Sequence, residues 1–203
     1  GRSGLVLSCL PRAGELVLST ERMNEVEAID PDGCTATGQA GVVLQALQER
    51  LEPQGLSFPL DLGGRGSCTI GGNISTNAGG NRVIRYGNTR DLVLGLEVVL
   101  ADGTVLSMLN QMVKNNAGMD LKHLFIGSEG VLGIVTKVVF KLQPLPKGVS
   151  TAVVALQDYP AALRFLRHAQ QSLSGQVSAF EIMWNDYLVT AVDAGKLRAP
   201  LDT

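Results

Sequence analysis

Glycine is concentrated in one stretch of this chain, residues 63–80. The stretch holds seven of the chain's 24 glycines, with short polar side chains between them. Each glycine costs backbone entropy on folding, so this density is favoured where the backbone itself must approach something closely. Bare N–H groups and short donors suit a large, flat, phosphate-bearing ligand. A turn-rich loop without a ligand is the alternative. We favour the ligand, because glycine pairs flank residues 69–77, which can form a short helix whose first N–H groups face it.

Composition excludes several other classes of protein. The 203 residues include 17 basic and 19 acidic ones, with no basic run, so we expect no nucleic acid partner. Three separated cysteines and two histidines predict a reducing compartment and no metal site within the chain. No apolar run reaches the length of a membrane span, so no transmembrane segment is expected. The first residue is not methionine, and we expect the chain to be a fragment of a longer protein.

The first part of the chain reads as strands with one helix. Asp-Gly pairs at 32–33 and 102–103 predict two hairpin turns. Apolar residues at helical spacing predict a helix over 40–51, which Pro53 and Gly55 end. The pattern predicts strands at 15–19, 26–29, 34–38, 92–101, 104–108 and 131–142, and a helical turn within 116–125.

Two prolines, Pro144 and Pro146, predict a boundary between domains. The pattern after them predicts a separate α+β unit, with strands at 151–156 and 177–183 and helices at 160–173 and 185–194. The expected division is therefore 1–145 and 146–203.

Three glycine-bearing loops carry the chemistry that the sequence offers: residues 1–4, 63–80 and 127–133. The dinucleotide fingerprint is incomplete because Thr69 stands where its third glycine would be, and no Walker-type motif or nucleophile elbow occurs. Such loops hold a diphosphate with main-chain donors alone. Three of them around one β-rich body suit a cofactor as long as FAD.

Long motifs in the chain also resemble a known family. They read PLDLG at 59–63, GSCTIGGN at 66–73, TNAGG at 76–80, VLGLEVVLADG at 93–103 and DLKHLFIGSEGVLGIVT at 120–136. They resemble the FAD-binding domain of FAD-linked oxidases of the para-cresol methylhydroxylase (PCMH) and vanillyl-alcohol oxidase type. Within this family the resemblance is greatest to the branch of D-2-hydroxyglutarate dehydrogenase, D-lactate dehydrogenase and glycolate oxidase.

The resemblance implies an α+β fold with a PCMH-type FAD-binding domain at 1–145. Its second subdomain would be largely present and its first missing. Residues 146–203 would begin a substrate-capping domain, because SAFEIM at 178–183 is similar to the start of that domain. The family's metal ligands and carboxylate-binding arginine would lie outside this chain, so we expect the chain alone to be inactive.

The resemblance also implies where the cofactor is bound. The loop 1–4 would hold the diphosphate, the stretch 59–81 would follow the flavin and its ribityl chain, and the loop near Glu129 would meet the adenosine end. The expected cofactor-binding residues are Gly1, Arg2, Ser3, Gly4, Pro59, Asp61, Gly66, Cys68, Gly71, Gly72, Asn73, Thr76, Asn77, Gly79, Glu129, Gly130 and Ile134. No histidine stands where some relatives attach FAD covalently, so the expected cofactor is noncovalent. A divalent metal would be held only by residues outside this chain, and no catalytic residue is identified.

The expected activity is FAD-dependent oxidation of a D-2-hydroxy acid of the 2-hydroxyglutarate, lactate or glycolate class to the 2-oxo acid, with hydride transfer to flavin N5. The electrons would pass to an electron-transfer flavoprotein, a quinone or a cytochrome. The alternatives are a non-catalytic FAD- or nucleotide-binding fragment and a nucleotide-sugar reductase on the same FAD fold. We expect the protein in the cytoplasm of a bacterium or in an organelle matrix, soluble or peripherally bound to a membrane.

Overall fold

The computed structural model describes residues 1–7 and 9–200. The chain divides into two compact units, with the division between Leu145 and Pro146. The two prolines around this point disfavour continuous secondary structure, which agrees with a boundary here. The identity of the two units as a cofactor-binding domain and a capping domain stays a prediction.

The first unit is built on an antiparallel sheet. Its elements in chain order are β1 (Val26–Asp30), β2 (Thr35–Gln39), α1 (Leu44–Leu51), β3 (Leu56–Ser57), α2 (Ile70–Ser75), α3 (Val83–Tyr86), β4 (Val93–Val99), β5 (Val105–Met108), α4 (Lys122–Phe125), β6 (Ile134–Lys141) and β7 (Gln143–Pro144). Five strands pair in the order β1-β2-β6-β4-β5, and β3 pairs with β7. Strand β6 lies at the centre of the sheet and joins the two hairpins β1–β2 and β4–β5.

Both predicted hairpin turns are confirmed, and an aspartate organises each. The Asp30 carboxylate accepts the Asp32 and Gly33 N–H groups at 3.1 and 3.0 Å. Asp102 accepts the Thr104 N–H at 2.9 Å, and this bond holds the pKa of the Asp102 carboxyl below its ordinary value. Aspartate side chains that bond the backbone two residues later are a common cause of tight turns.

Helix α1 begins later than predicted. The pattern placed its start at residue 40, but residues 40–43 lie beside the glycine-rich segment and the helix begins at Leu44. Val43 forms an isolated β-bridge with Thr69, and the Val42 carbonyl accepts the Ile70 N–H at 2.9 Å. These long-range bonds hold the chain extended where local apolar spacing alone favours a helix. The predicted end is confirmed, with Gly55 in the left-handed region at φ 70°.

The core of the first unit lies between α1, α2 and one face of the sheet. Leu44, Leu47 and Leu51 of α1 are fully buried, as are Ile74 of α2 and Val138 of β6. Full burial of an aliphatic side chain of this kind contributes about 1.5–3 kcal/mol. The core therefore fixes α2, and with it the glycine-rich segment, against the sheet.

Three predicted strands are wrong, those at 15–19, 151–156 and 177–183. The described residues form no strand in any of the three. An extended segment becomes a strand only when a neighbouring strand satisfies its N–H and C=O groups, and an apolar pattern does not specify that neighbour. Leu16 illustrates the result, since its side chain is 100% exposed.

Within residues 146–200, the described part of the second unit, there are two helices, α5 (Tyr159–Ser172) and α6 (Asn185–Gly195). Both predicted helices are confirmed. The Asp158 carboxylate accepts the Ala161 N–H at 2.7 Å and caps α5. The ring centroids of Tyr159 and Trp184 lie 6.2 Å apart. Among the described residues, no helix combines the length and apolar character needed to cross a bilayer.

Candidate functional site

The glycine-rich segment, residues 63–80, lies at the surface beside the first turn of α1. Residues 63–67 are exposed. Two carbonyl groups of the segment accept bonds from the helix. The Gln45 N–H donates to the Arg65 carbonyl at 3.0 Å, and the Leu44 N–H donates to the Cys68 carbonyl at 3.1 Å. The segment therefore satisfies N–H groups that the start of a helix leaves without an internal partner.

Helix α2 forms the middle of the segment, and its first donors are already used. The Ile70 and Gly71 N–H groups donate to the Val42 and Ala40 carbonyls at 2.9 and 2.7 Å. The expectation that these groups face a ligand is therefore wrong. Gly71 has a packing reason to be glycine, because a Cβ there would lie 2.7 Å from the Ala40 Cβ.

The three glycine-bearing loops meet along α2. At one end, a Cβ on Gly1 would collide with the Ser67 carbonyl, and a Cβ on Gly64 would lie 3.3 Å from the Ser3 Cβ. At the other end, the Gly127 N–H donates to the Ile74 carbonyl at 3.0 Å. The Glu129 N–H donates to the Ser75 carbonyl at 2.8 Å. The structure thus brings together residues that are more than 120 positions apart in the sequence.

Each of the three loops contains a non-glycine residue in the left-handed region. Arg2 has φ 53°, Asn77 has φ 48° and Glu129 has φ 53°. This conformation is uncommon for residues with a Cβ and is found disproportionately at binding sites. At these three positions the surrounding loop, and not the intrinsic preference of the residue type, determines the value of φ.

Asn73 supplies an unsatisfied acceptor at the centre of this arrangement. The side chain lies in α2, only 5% of the residue is exposed, and Oδ1 has no hydrogen-bond partner among the described residues. Thr35 Oγ1, in β2, is a second such atom. A buried polar atom without a partner costs about 1–3 kcal/mol, so a ligand donor placed against Asn73 Oδ1 would recover that free energy.

The backbone around α2 is open at several glycines, of which Gly72 is next to Asn73. A Cβ on Gly63 or Gly130 would meet nothing within 4 Å, and one on Gly72 would make only ordinary contact, 3.5 Å from Thr69 Oγ1. Gly72 is exposed although Asn73 is buried. These residues fit an elongated cofactor that carries both phosphate acceptors and hydroxyl or N–H donors, as FAD does.

Several expected contact residues are engaged by the protein itself. The Asp61 carboxylate pairs with Arg65 at 3.0 Å and Arg82 at 3.2 Å. Cys68 is 3% exposed and packs in the hydrophobic core, as expected for a structural thiol. Pro59 is buried, and Ile134 is the first residue of β6, opposite Val99.

Other expected residues lie before and after α2 in the segment. Thr76 Oγ1 donates to the Gly72 carbonyl at 2.9 Å, and Asn77 Oδ1 accepts the Arg90 N–H at 2.9 Å. Gly79 is half-buried, and a Cβ there would lie 3.1 Å from Asn88 Oδ1. Gly66 is exposed near Gln45. The chain after α2 is thus held by its own bonds, with the Thr76 side chain at the surface.

Arg90 is a residue of this region that sequence reasoning missed. Its Nη1 donates to His123 Nδ1 at 3.0 Å and to the His123 carbonyl at 2.9 Å, and its Nη2 donates to the Ile126 carbonyl. One local signal was available, because Asn88 and Asp91 form a capping box just before β4. That pattern predicts a turn, but it does not identify the partners of the arginine between them.

Charged groups surround the Arg90 contact. Lys122 is 8% exposed and forms an ion pair with Asp120, whose carboxyl pKa is lowered by the hydrogen bond from Lys122. Burial lowers the pKa of His123 below its ordinary 6.5. The positive charges of Lys122 and Arg90 lower it further, against the opposing effects of Asp120 and Asp91. The His123 imidazole is therefore favoured in its neutral form at neutral pH.

A cleft of about 400 Å³ lies beside the glycine-rich segment, and its lining includes no residue of the loops 1–4 and 127–133. It is lined by side chains of α1 and by Arg65, Arg82 and Asp61, with Glu49 and Glu52 also facing it. Asp61 is the one expected cofactor residue in this lining. Carboxylates on the wall make the cleft a poor match for a diphosphate, which is also negatively charged.

Known proteins resemble this chain over most of its length. Residues 1–109 match the family described as FAD binding domain. The mitochondrial D-2-hydroxyglutarate dehydrogenase of Bos taurus is 48% identical over 183 residues, which are 90% of this chain and 34% of that protein. The D-2-hydroxyglutarate dehydrogenase of Xanthomonas citri pv. viticola is 42% identical over 200 residues, 98% of this chain and 42% of that protein.

A solved structure of alkyldihydroxyacetonephosphate synthase also matches. It is 33% identical with a TM-score of 0.56, over 63% of this chain and 23% of that one. The chain spans 34% of the bovine and 42% of the bacterial dehydrogenase. The expected resemblance is confirmed, and the α+β fold is that of a PCMH-type FAD-binding domain. Because the family match covers more than half of the 203 residues, the chain belongs to the FAD binding domain family.

Proposed function

We propose that the protein containing this chain uses FAD to oxidise a D-2-hydroxy acid, of the 2-hydroxyglutarate, lactate or glycolate class, to the 2-oxo acid. The names of the similar bovine and bacterial proteins, both D-2-hydroxyglutarate dehydrogenases, support 2-hydroxyglutarate as the first substrate to test. The observation that carries the proposal is the unsatisfied Oδ1 of Asn73 in α2, the helix along which the three glycine-bearing loops meet. It provides a specific reason for a donor-bearing cofactor to bind there.

The proposed role of this chain is to bind and orient the cofactor. FAD supplies the N5 position that accepts the hydride from the substrate carbinol carbon. The loop Gly1, Arg2, Ser3 and Gly4 would hold the diphosphate, and the exposed backbone at Gly66 and Gly72 would lie along the cofactor. Asn73 would accept one hydrogen bond from it. Exclusion of water and fixed orientation are the contributions that such a scaffold makes to hydride transfer.

The cofactor is proposed to be noncovalent. Cys68 is buried in the core, His123 is held by Arg90, and residues 63–80 contain no histidine or tyrosine for a covalent link. Precipitating the purified protein with acid should leave the flavin in the supernatant. Colour that stays with the precipitate would contradict a noncovalent cofactor.

The substrate side of the reaction requires groups that this chain does not identify. A base must take the hydroxyl proton, and a cation or a divalent metal must hold the substrate carboxylate. Among the described residues, no group of three or more metal-ligating side chains lies together. We place these functions in parts of the protein outside this chain, together with the contact to the electron acceptor, an electron-transfer flavoprotein, a quinone or a cytochrome.

Two measurements test the proposal. The chain should quench flavin fluorescence in a saturable FAD titration, whereas ATP should compete weakly, because ATP lacks the flavin and ribityl groups. The whole protein with bound FAD should lose its yellow colour under D-2-hydroxyglutarate without oxygen and without nicotinamide. Equal binding of ATP would favour a generic nucleotide-binding module. Bleaching by NADPH but by no hydroxy acid would favour a nucleotide-sugar reductase.

A further inference from the structure

We propose that Arg90 is a positioning residue for the cofactor site, which holds the loop at 127–130 against the end of α2. The proposal rests on the proposed function only in assuming that the loop at 127–130 and the end of α2 form part of the FAD site. Arg90 lies in the 3₁₀ turn Thr89–Leu92 that leads into β4, so its own backbone is fixed to the central sheet. Its guanidinium donates to acceptors of the protein, so the proposed role is positioning and not catalysis.

The Arg90 bonds join two segments that are far apart in the sequence. Its backbone N–H donates to Asn77 Oδ1 at 2.9 Å, which fixes the residue in the left-handed conformation at the end of α2. Its guanidinium donates to the His123 carbonyl and to the Ile126 carbonyl, 33 and 36 positions later in the chain. One residue thus fixes both sides of the surface on which the second and third glycine loops meet.

The loop at 127–130 depends on this connection. Gly127 follows Ile126 directly, and a Cβ on Gly127 would lie 3.4 Å from the Asn77 Cβ and 3.7 Å from Arg90 Nη2. Beyond this point the loop is tied to α2 by two backbone bonds, from Gly127 to Ile74 and from Glu129 to Ser75. Both bonds require the chain to leave α4 in the direction that the guanidinium sets. An arginine suits this task because its planar donors bind several acceptors in a fixed geometry.

The imidazole of His123 makes the connection sensitive to pH. Since Arg90 Nη1 can only donate, Nδ1 must accept, and the ring proton is assigned to Nε2, which lies 3.4 Å from Asp120 Oδ2. The charged groups that face the ring are Arg90, Lys122, Asp120 and Asp91. A second proton on Nδ1 would remove the acceptor and place two cations together. The connection should therefore be complete above the ordinary pKa of His and weaken as the pH falls below it.

Amide hydrogen exchange of the chain without FAD tests the positioning role directly. In Arg90→Ala, the Gly127 and Glu129 amides should exchange about tenfold faster, while the Val138 amide in β6 keeps its rate. Arg90→Lys keeps the charge but loses the fork of donors, so it should restore only part of the protection. Arg50→Ala, which removes an exposed arginine of α1, is the matched control and should change neither amide. Unchanged exchange of Gly127 and Glu129 in Arg90→Ala would overturn the proposal.

The pH dependence separates positioning from a general loss of stability. In the parent chain the two loop amides should lose protection as the pH falls below the ordinary pKa of His, because burial lowers the pKa of His123 and the ring gains its second proton only below that value. His123→Ala removes only the ring acceptor and leaves both carbonyl acceptors of Arg90, so the protection factors of the two loop amides, corrected for the intrinsic exchange rate at each pH, should become independent of pH. This variant also keeps the test decisive if Arg90→Ala fails to fold. A pH profile in His123→Ala equal to that of the parent chain would count against the proposal.

FAD affinity links the positioning role to the cofactor. Arg90→Ala should weaken FAD binding about tenfold relative to Arg50→Ala, a loss of the size expected for one misplaced set of backbone donors. If the whole protein binds no FAD, the proposed function fails, whereas the exchange experiment still decides whether Arg90 positions the loop. If exchange changes but FAD affinity does not, the loop is positioned by Arg90 and does not belong to the cofactor site, which overturns the proposal as stated.

Discussion

Asn73 tests the candidate site at the scale of a single residue. Its Oδ1 has no partner to lose within the described residues. Asn73→Ala should therefore change the free energy of unfolding of the FAD-free chain by less than about 1 kcal/mol, and should raise the Kd for FAD about tenfold. Thermal unfolding and a fluorescence titration measure the two quantities.

The control for Asn73 is Asn24→Ala, because Asn24 is exposed and lies before β1. It should leave both the thermal midpoint and the Kd unchanged. An Asn73→Ala chain that binds FAD as tightly as the parent would remove Asn73 from the site. The missing hydrogen-bond partner of Asn73 Oδ1 would then have a cause other than a bound cofactor.

Residue types in the sequence identified part of this site and missed another part. The glycine density singled out the segment around α2, because glycine is the residue type that exposes its backbone. Arg90 could not be found in this way, since its role depends on carbonyls of residues 123 and 126 that approach only in the folded chain. Local sequence shows which groups are available to bind, but long-range partners come from the topology of the sheet.

Helix α2 offers a test at the scale of an element, because two adjacent glycines have different surroundings. A Cβ on Gly71 would lie 2.7 Å from the Ala40 Cβ, whereas one on Gly72 has its nearest neighbour at 3.5 Å. Gly71→Ala should destabilise the chain by about 1–3 kcal/mol through overpacking. Gly72→Ala should stabilise it by up to about 1 kcal/mol, because alanine is the better helix former.

Substitution of these two glycines also distinguishes an effect on stability from an effect on FAD binding. If Gly72 is glycine so that a cofactor can approach, Gly72→Ala should weaken FAD binding while it raises the thermal midpoint. Calorimetry without FAD and a titration with FAD measure both effects on one protein sample. A Gly72→Ala chain that is more stable and binds FAD equally well would show that the cofactor does not approach this position.

Helix α5 gives a second prediction at this scale, in the other unit. The Asp158 carboxylate caps the helix through the Ala161 N–H at 2.7 Å. Asp158→Ala should cost about 1 kcal/mol and reduce the helical signal in circular dichroism on mild heating, whereas Asp158→Ser should restore most of the loss. Equal loss in the alanine and serine variants would mean that the side-chain oxygen is not what stabilises the start of α5.

Helices and turns were predicted correctly where the groups that stabilise them lie within the same short stretch of sequence. The helix α5 has its cap and its apolar stripe within its own sequence, and both hairpins have their aspartate turns. The segments 15–19, 151–156 and 177–183 have strand-like composition but no strand partner among the described residues. The start of α1 was wrong for a related reason, since Val43 pairs with Thr69, 26 positions later.

At the scale of the whole molecule, every residue expected to bind the cofactor lies in the first unit, which ends at Leu145. A ligand stabilises the unit that binds it, by about 2.7 kcal/mol at a free concentration of 100 times Kd. With FAD at this concentration, the slowest amides of β6 should exchange about 100-fold more slowly, and those of α5 should keep their rates. ATP at the same concentration should have a much smaller effect on β6. Equal slowing in α5 would mean that the two units unfold together. The division at Pro146 would then separate two sets of contacts but not two independently unfolding units.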